Sequence, residues 1–128
     1  MGVIRSFRDL KVYQEVLVES KHLFEISRRF PAEERFSLTD QIRRSSRAVN
    51  AMIAEAWARR GYPAVFRHKL SEALGEANET QAWLDHAREA GYLNETAHRE
   101  LDAGWQSVGG RLRRMIDRAD TFCPKSED

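Results

Sequence analysis

Apolar residues recur every three or four positions along most of the chain, which is the spacing of an amphipathic α-helix. Three interruptions divide this pattern: Phe30-Pro31, then Gly61-Tyr62-Pro63, and then Gly91. Proline and glycine commonly end helices, and no segment shows the alternation that is typical of a strand. The pattern therefore predicts four helices, at about residues 7–29, 38–60, 64–90 and 95–119, followed by a frayed tail over residues 121–128.

The predicted helices are long and the turns between them are short. The expected fold is therefore all-α: an up-down-up-down antiparallel four-helix bundle that forms one domain of residues 1–128. Ser37, with Asp40 three residues later, is the expected N-cap of the second helix, and Asn94 is that of the fourth. The expected core stripe of the first helix comprises Leu10, Tyr13, Leu17, Ser20, Phe24 and Ser27, widened by Val16 and Leu23. That of the second helix comprises Leu38, Ile42, Ser46, Val49, Ile53 and Ala56.

Composition excludes several classes of protein. The formal net charge is only +1, so binding to a polyanion would require local segregation of charge. The single cysteine, Cys123, excludes an internal disulfide and a cysteine zinc cluster. The chain shows no signal-peptide pattern and no apolar run of about 20 residues that could span a membrane. We therefore expect a cytoplasmic protein without a membrane partner.

The charges segregate between the second and third predicted helices. Five arginines oppose two carboxylates between Leu38 and Gly61, whereas three basic residues oppose five carboxylates between Tyr62 and Ala90. At 100° per residue, the second helix directs three arginines away from its core stripe: Arg43, Arg44 and Arg47. The third helix places three carboxylates and an exposed tryptophan opposite its own stripe: Glu72, Glu76, Glu79 and Trp83.

Three interpretations of these faces remain open. They are solvated surfaces, or contacts between copies of the chain, or a surface for nucleic acid. A contact between copies would use Arg43, Arg47, Glu72, Glu76, Glu79 and Trp83, and such a heterologous contact closes into a ring when the rotation permits. A phosphate-binding surface would use Arg43, Arg44, Arg47, Arg59, Arg60, Arg111, Arg113 and Arg114.

Several short motifs carry a family resemblance between Phe7 and Arg118. They are FRDLKVYQEV, the FP dipeptide, LTDQIRRSSRAV, IAEA, a Gly-Tyr turn and EALGEANET. In these motifs the chain resembles the small bacterial four helix bundle protein family. That family includes proteins encoded within intervening sequences of 23S ribosomal RNA genes, and it is related to the accessory variability protein of diversity-generating retroelements.

The resemblance implies a four-helix bundle that assembles as a ring of five. For the retroelement relatives it also implies a positively charged surface that works with nucleic acid and a reverse transcriptase. It brings no catalytic residues to this chain. The sequence departs from the family where Ile-Pro-Ser-Asn-Ile-Ala-Glu-Gly is usual, because residues 49–56 read VNAMIAEA and keep only Glu55 of the polar positions.

The sequence gives little support for a catalytic or metal-binding site. Two Glu-x-x-His pairs could suggest a di-iron site, Glu19 with His22 and Glu95 with His98, but they point away from the core or lie at a helix end. His68 and Glu72 are expected to form a surface pair, and Glu55 is expected to pair with Arg59. We therefore expect no catalytic residues, no metal and no cofactor.

The sequence thus predicts a non-enzymatic, homo-oligomeric binding or scaffold protein whose partner is RNA or an RNA-associated protein. The alternative is a purely protein-binding oligomeric adaptor, in which the arginines are used in subunit contacts.

Overall fold

The computed structural model describes residues 3–125 and is helical throughout, without a strand in that range. Four long helices follow one another: α1 at Lys11–Ser27, α2 at Leu38–Ala58, α3 at Pro63–Glu89 and α4 at Glu95–Asp117. A short helix, α5, occupies Ala119–Phe122, and two 3-10 turns lie at Phe7–Asp9 and Ala32–Glu34. None of the helices between residues 3 and 125 combines the length and apolarity that crossing a bilayer requires.

Hydrogen bonds between the helices establish an antiparallel order. Asn50 of α2 donates to the Tyr13 carbonyl of α1 at 3.2 Å. Ser45 of α2 bonds Thr80 of α3 at 2.8 Å, and Gln81 of α3 donates to Asp102 of α4 at 3.1 Å. Ser107 of α4 donates to Glu15 of α1 at 2.8 Å, which closes the circuit. The four-helix bundle with up-down-up-down order is confirmed.

The core stripe predicted for α2 is confirmed, because all six of its residues are buried. The stripe predicted for α1 is wrong in part, since Leu17 is 52% exposed. The buried residues are Leu10, which precedes the helix, and Val12, Val16, Leu23 and Ser27 of α1; all of them except Val12 were predicted. The first helix carries two neighbouring apolar stripes, and packing against α2 and α4 buries the one that contains Val16 and Leu23.

Two of the helix starts differ from the predicted ones. Ser37 makes no side-chain capping bond, and Glu34 of the preceding turn accepts from the Leu38 N–H at 3.3 Å instead. A capping box does occur at Ser6, where Asp9 accepts from the Ser6 N–H at 3.1 Å, but it starts only a 3-10 turn. Leu10 is extended after that turn, so α1 begins at Lys11 rather than at residue 7. The predicted cap Asn94 is confirmed, because its Oδ1 accepts from the Ala97 N–H at 2.7 Å.

The chain between residues 119 and 123 packs against the bundle, contrary to the frayed tail predicted from residue 121. Phe122 of α5 stacks on Phe66 at the start of α3, with ring centroids 6.2 Å apart, and Cys123 is buried. Ala119, Phe122 and Cys123 thus hold this helical turn against the core. The end of the predicted tail, residues 126–128, lies outside the described residues.

The end of α3 is a Schellman motif centred on Gly91, which has φ +82°. Its N–H donates to the Arg88 carbonyl at 2.9 Å, and the Tyr92 N–H donates to the Ala87 carbonyl at 2.9 Å. These are the two bonds that define the motif, and the left-handed backbone explains why a glycine ends the third predicted helix.

Gly75 lies in the middle of α3 and is exposed, and a Cβ atom at this position would meet nothing within 4 Å. We therefore expect Gly75→Ala to raise the free energy of unfolding by about 0.5–1 kcal/mol, because alanine loses less backbone entropy in a helix. Chemical denaturation measures this change. Gly91→Ala is the matched control and should destabilise, since the site has positive φ; equal effects at both glycines would contradict the explanation.

Candidate functional site

Basic residues concentrate at one end of the bundle. The antiparallel order brings together the start of the chain, the α2–α3 turn and the end of α4, which are residues 3–15, 50–75 and 109–123. We call this region the basic end; it contains eleven basic and six acidic residues. The rest of the bundle, residues 16–49 and 76–108, contains nine basic and twelve acidic residues. A chain of nearly neutral net charge therefore has a strong charge difference between its ends.

The α2–α3 turn and the end of α4 contribute five arginines that form no ion pair with any carboxylate of residues 3–125: Arg59, Arg60, Arg113, Arg114 and Arg118. Four of them are exposed, and the fifth, Arg60, is held over the Trp57 ring with its guanidinium carbon 4.1 Å from the ring centroid. Arg60 also donates to the Trp57 carbonyl at 2.9 Å. Their positive charge is therefore available to an external anion.

A groove of about 620 Å³ opens at the same end, between the start of the chain and the end of α4. Arg111, Arg114 and Arg118 line one side of it, and Arg111 is paired with Glu15 at 3.3 Å. The remaining surface is mainly apolar and includes Ile4, Leu10, Val12, Met115 and Phe122. This combination suits a ligand with negative charge on one side and a flat or apolar surface on the other.

The eight arginines predicted to bind nucleic acid fall into two groups. Arg59, Arg60, Arg111, Arg113 and Arg114 belong to the basic end, whereas Arg43, Arg44 and Arg47 lie in the opposite half of α2. The three arginines of α2 also turn to different neighbours. Arg43 contacts α1, where its Nε donates to Ser27 Oγ at 2.8 Å, and Arg44 pairs with Glu79 and Glu76 of α3.

Three arginines surround the ring of Phe24 on α1. The guanidinium carbons of Arg43, Arg28 and Arg47 lie 4.6, 4.9 and 5.8 Å from the ring centroid. Burial lowers the pKa of Arg43 below its ordinary value, and the neighbouring charges of Arg47 and Arg28 lower it further. Sequence analysis missed this cluster, because the register between α1 and α2 is needed to bring Phe24 to Arg43.

The three carboxylates predicted for the outer face of α3 have partners within the same chain. Glu76 and Glu79 hold Arg44, while Glu72 lies 3.5 Å from both Lys69 and His68. The expected surface pair of His68 and Glu72 is thus confirmed. The expected docking of these carboxylates on another copy stays a prediction, but it would have to displace or share these contacts.

Two expected environments near these carboxylates are wrong. Trp83 is half-buried rather than exposed, because it packs against the core and its Nε1 donates to Glu79 at 3.1 Å. Glu55 pairs with Lys69 Nζ of α3 at 3.5 Å instead of with Arg59. Arg59 is the C-cap residue of α2, where the helix ends, so the i,i+4 geometry expected for the pair is lost.

Potential metal ligands are present but are satisfied by protein groups. Glu19 and His22 lie 3.5 Å apart, and Glu95 pairs with Arg88 at 3.7 Å. A third group joins α3 to α4: Asp85, His98 and Asp102, each with one ligand atom within 4.8 Å of the others. His98 Nε2 is 2.8 Å from Asp85, and Gln81 donates to Asp102. The spacing of His98 and Asp102 was visible in the sequence, but Asp85 could be added only with the α3–α4 register.

The geometry defines this protein as an antiparallel helical bundle with a cationic end. Its sequence matches a family model over residues 8–114, and the chain belongs to the 23S rRNA-intervening sequence protein family. It is also similar to a protein with unknown function from the S23 ribosomal protein family from Bacteroides thetaiotaomicron VPI-5482. The two chains are 26% identical with a TM-score of 0.74, over 83% of this chain and 95% of the other. Comparison with curated proteins gave no match.

Proposed function

We propose that this protein is a non-enzymatic, homo-oligomeric cytoplasmic scaffold that binds RNA through its basic end. The proposal rests on the five arginines that the α2–α3 turn and the end of α4 place at that end without a carboxylate partner among residues 3–125. Guanidinium groups bind phosphates through paired N–H donors, and unpaired arginines avoid the cost of breaking an existing ion pair.

Two further features support RNA as the polyanion. The groove beside Arg114 and Arg118 has an apolar surface that includes Phe122 and Met115, against which an unstacked base could pack. The family name and that of the S23 relative both refer to ribosomal RNA or the ribosome. Ribosomal RNA or an RNA-associated protein is therefore the partner that we propose.

The proposed assembly is a ring of copies, five in number as the family resemblance implies. Leu17 and Val18 on the outer surface of α1 are each 52% exposed, and burying them against another copy would be favourable. Mass measurement by light scattering tests this part independently of RNA. A monomer at micromolar concentration would contradict the assembly and leave the RNA proposal standing.

The alternative function is an oligomeric protein-binding adaptor whose arginines serve subunit contacts. Arg43 and Arg47 favour it, because neither pairs with a carboxylate of its own chain within residues 3–125. Under this alternative, replacing Arg43 and Arg47 together by glutamate yields monomers, and the parent protein shows no salt-sensitive binding to RNA.

A salt titration of RNA binding is the direct test. If the five unpaired arginines each contact a phosphate of a single strand, log K falls with log salt at a slope of about −3.5. Affinity would then drop about 100-fold between about 50 and 200 mM salt. Fluorescence anisotropy of a labelled RNA oligonucleotide measures the slope. A flat salt dependence, or no binding at 50 mM salt, would refute the proposal.

A further inference from the structure

The arginine cluster around Phe24 lies in the acidic half of the bundle and has no ion-pair partner among residues 3–125. Arg28 comes from the end of α1, while Arg43 and Arg47 come from successive turns of α2. No carboxylate of residues 3–125 lies within ion-pair distance of any of the three. The nearest acidic residues in sequence, Glu25 and Asp40, are exposed and leave the three guanidinium groups unpaired.

Contact with the ring holds these cations together without cancelling their repulsion. The ring face attracts each guanidinium through its quadrupole, but it carries no net charge. The lowered pKa of Arg43, caused by burial and then by Arg47 and Arg28, is consistent with like charges left close to one another. An anion placed among the three would relieve this repulsion.

One member of the cluster is held in place by α1. Arg43 Nε donates to Ser27 Oγ at 2.8 Å, and its Nη2 approaches the Phe24 carbonyl at 3.4 Å. Ser27 is itself 2% exposed, so its hydroxyl is a fixed acceptor. A guanidinium has five N–H donors, and these bonds leave several of them for a ligand. Arg28 and Arg47 are exposed and bring further donors to the same ring.

We propose that Arg28, Arg43 and Arg47 form a binding site for a tetrahedral oxyanion of the phosphate class. A single carboxylate pairs with one guanidinium fork, whereas a phosphate group has enough oxygens and charge for donors that approach from several directions. The site lies in the other half of the molecule from the basic end and does not depend on RNA binding there. Its ligand is either inorganic phosphate or a phosphate group of a nucleic acid.

Thermal unfolding in sodium phosphate and in sodium chloride of equal ionic strength tests the site. The Tm of the parent should rise in phosphate by about 3–6 °C more than in chloride at ten times the Kd. Arg28→Gln with Arg47→Gln should abolish this difference; both side chains are exposed, so the variant should fold. Arg29→Gln with Arg35→Gln is the matched control, because it removes two charges at exposed positions, and no second arginine of residues 3–125 joins Arg35 over the Phe36 ring, 5.2 Å away.

A second arm separates the two sources of phosphate. If the site holds a backbone phosphate of RNA, the Arg28/Arg47 variant should bind the RNA oligonucleotide about tenfold more weakly than the Arg29/Arg35 control. If RNA affinity is unchanged while the phosphate-specific Tm difference is lost, the ligand is inorganic phosphate. The same Tm difference in the parent and the Arg28/Arg47 variant would overturn the site. A second contrary outcome is that the Arg28/Arg47 replacement dissociates an oligomer while phosphate has no specific effect on the Tm. That result would indicate that a carboxylate of another copy occupies the cluster.

Discussion

Replacing Arg113 and Arg114 together by glutamate is expected to weaken RNA binding by at least about 100-fold at low salt. Both side chains are exposed near the end of α4 and have no carboxylate partner among residues 3–125. Each replacement removes a phosphate contact and adds a charge that repels the strand. If both arginines contact phosphates, the slope of log K against log salt should also decrease in magnitude by about 1.4. Anisotropy titrations at several salt concentrations measure both effects.

The matched control reverses two exposed arginines in the other half of the bundle, Arg29 and Arg99. It changes the net charge equally, so a general effect of charge would weaken both variants alike. That result would contradict a defined RNA surface at the basic end. Neither variant should lose its fold, because substitutions at exposed positions usually alter the free energy of unfolding by about 0.5 kcal/mol or less.

Truncating Trp105 is expected to be the most damaging single change to stability. This side chain of α4 is fully buried and is the largest in the core. Trp105→Ala should lower the free energy of unfolding by about 3–5 kcal/mol, because it removes apolar contact and leaves a cavity. For a chain of this length that corresponds to a fall in Tm of roughly 11–19 °C. Urea denaturation followed by circular dichroism measures the change.

Trp105→Phe is an informative comparison. The indole Nε1 is buried and has no hydrogen-bond partner among residues 3–125, which costs about 1–3 kcal/mol. Phenylalanine removes that unpaired donor while it retains most of the apolar volume, so its net effect should be much smaller than that of alanine. If both variants were equally destabilised, the indole N–H would have to be bonded in solution, for example to an internal water molecule.

Much of the fold follows from local sequence patterns. The α2 stripe is unambiguous, because its six residues share one face and its arginines lie outside that face. The stripe of α1 is ambiguous, because the exposed Leu17 and Val18 adjoin the buried stripe that contains Val16. Only the position of the neighbouring helices determines which stripe is buried. The cap at α2 shows the same limit, since Glu34 reaches the helix only because the preceding turn folds back.

The arginine cluster around Phe24 could not be predicted from the sequence, because its prediction requires the register between helices. Arg43 and Arg47 are four residues apart in the sequence, as are Phe24 and Arg28, and both spacings place the pair on one helix face. The register between α1 and α2 determines whether the two pairs meet. The basic end depended only on helix order, so it could have been predicted by comparing charges at equal heights instead of counting them helix by helix.

The difference in charge between the two ends has a consequence for how the molecule approaches a polyanion. The 27 residues of α3 extend over about 40 Å, whereas electrostatic screening at physiological salt acts over about 8 Å. A nucleic-acid strand at the basic end therefore interacts only weakly with the acidic residues of the other half. The nearly neutral net charge of the chain does not prevent binding at the basic end. Polarity along the long axis should also orient the molecule during encounter. If copies assembled as a closed ring with their long axes parallel, the basic ends of all copies would lie on the same face of the ring. Only that face would then attract a polyanion.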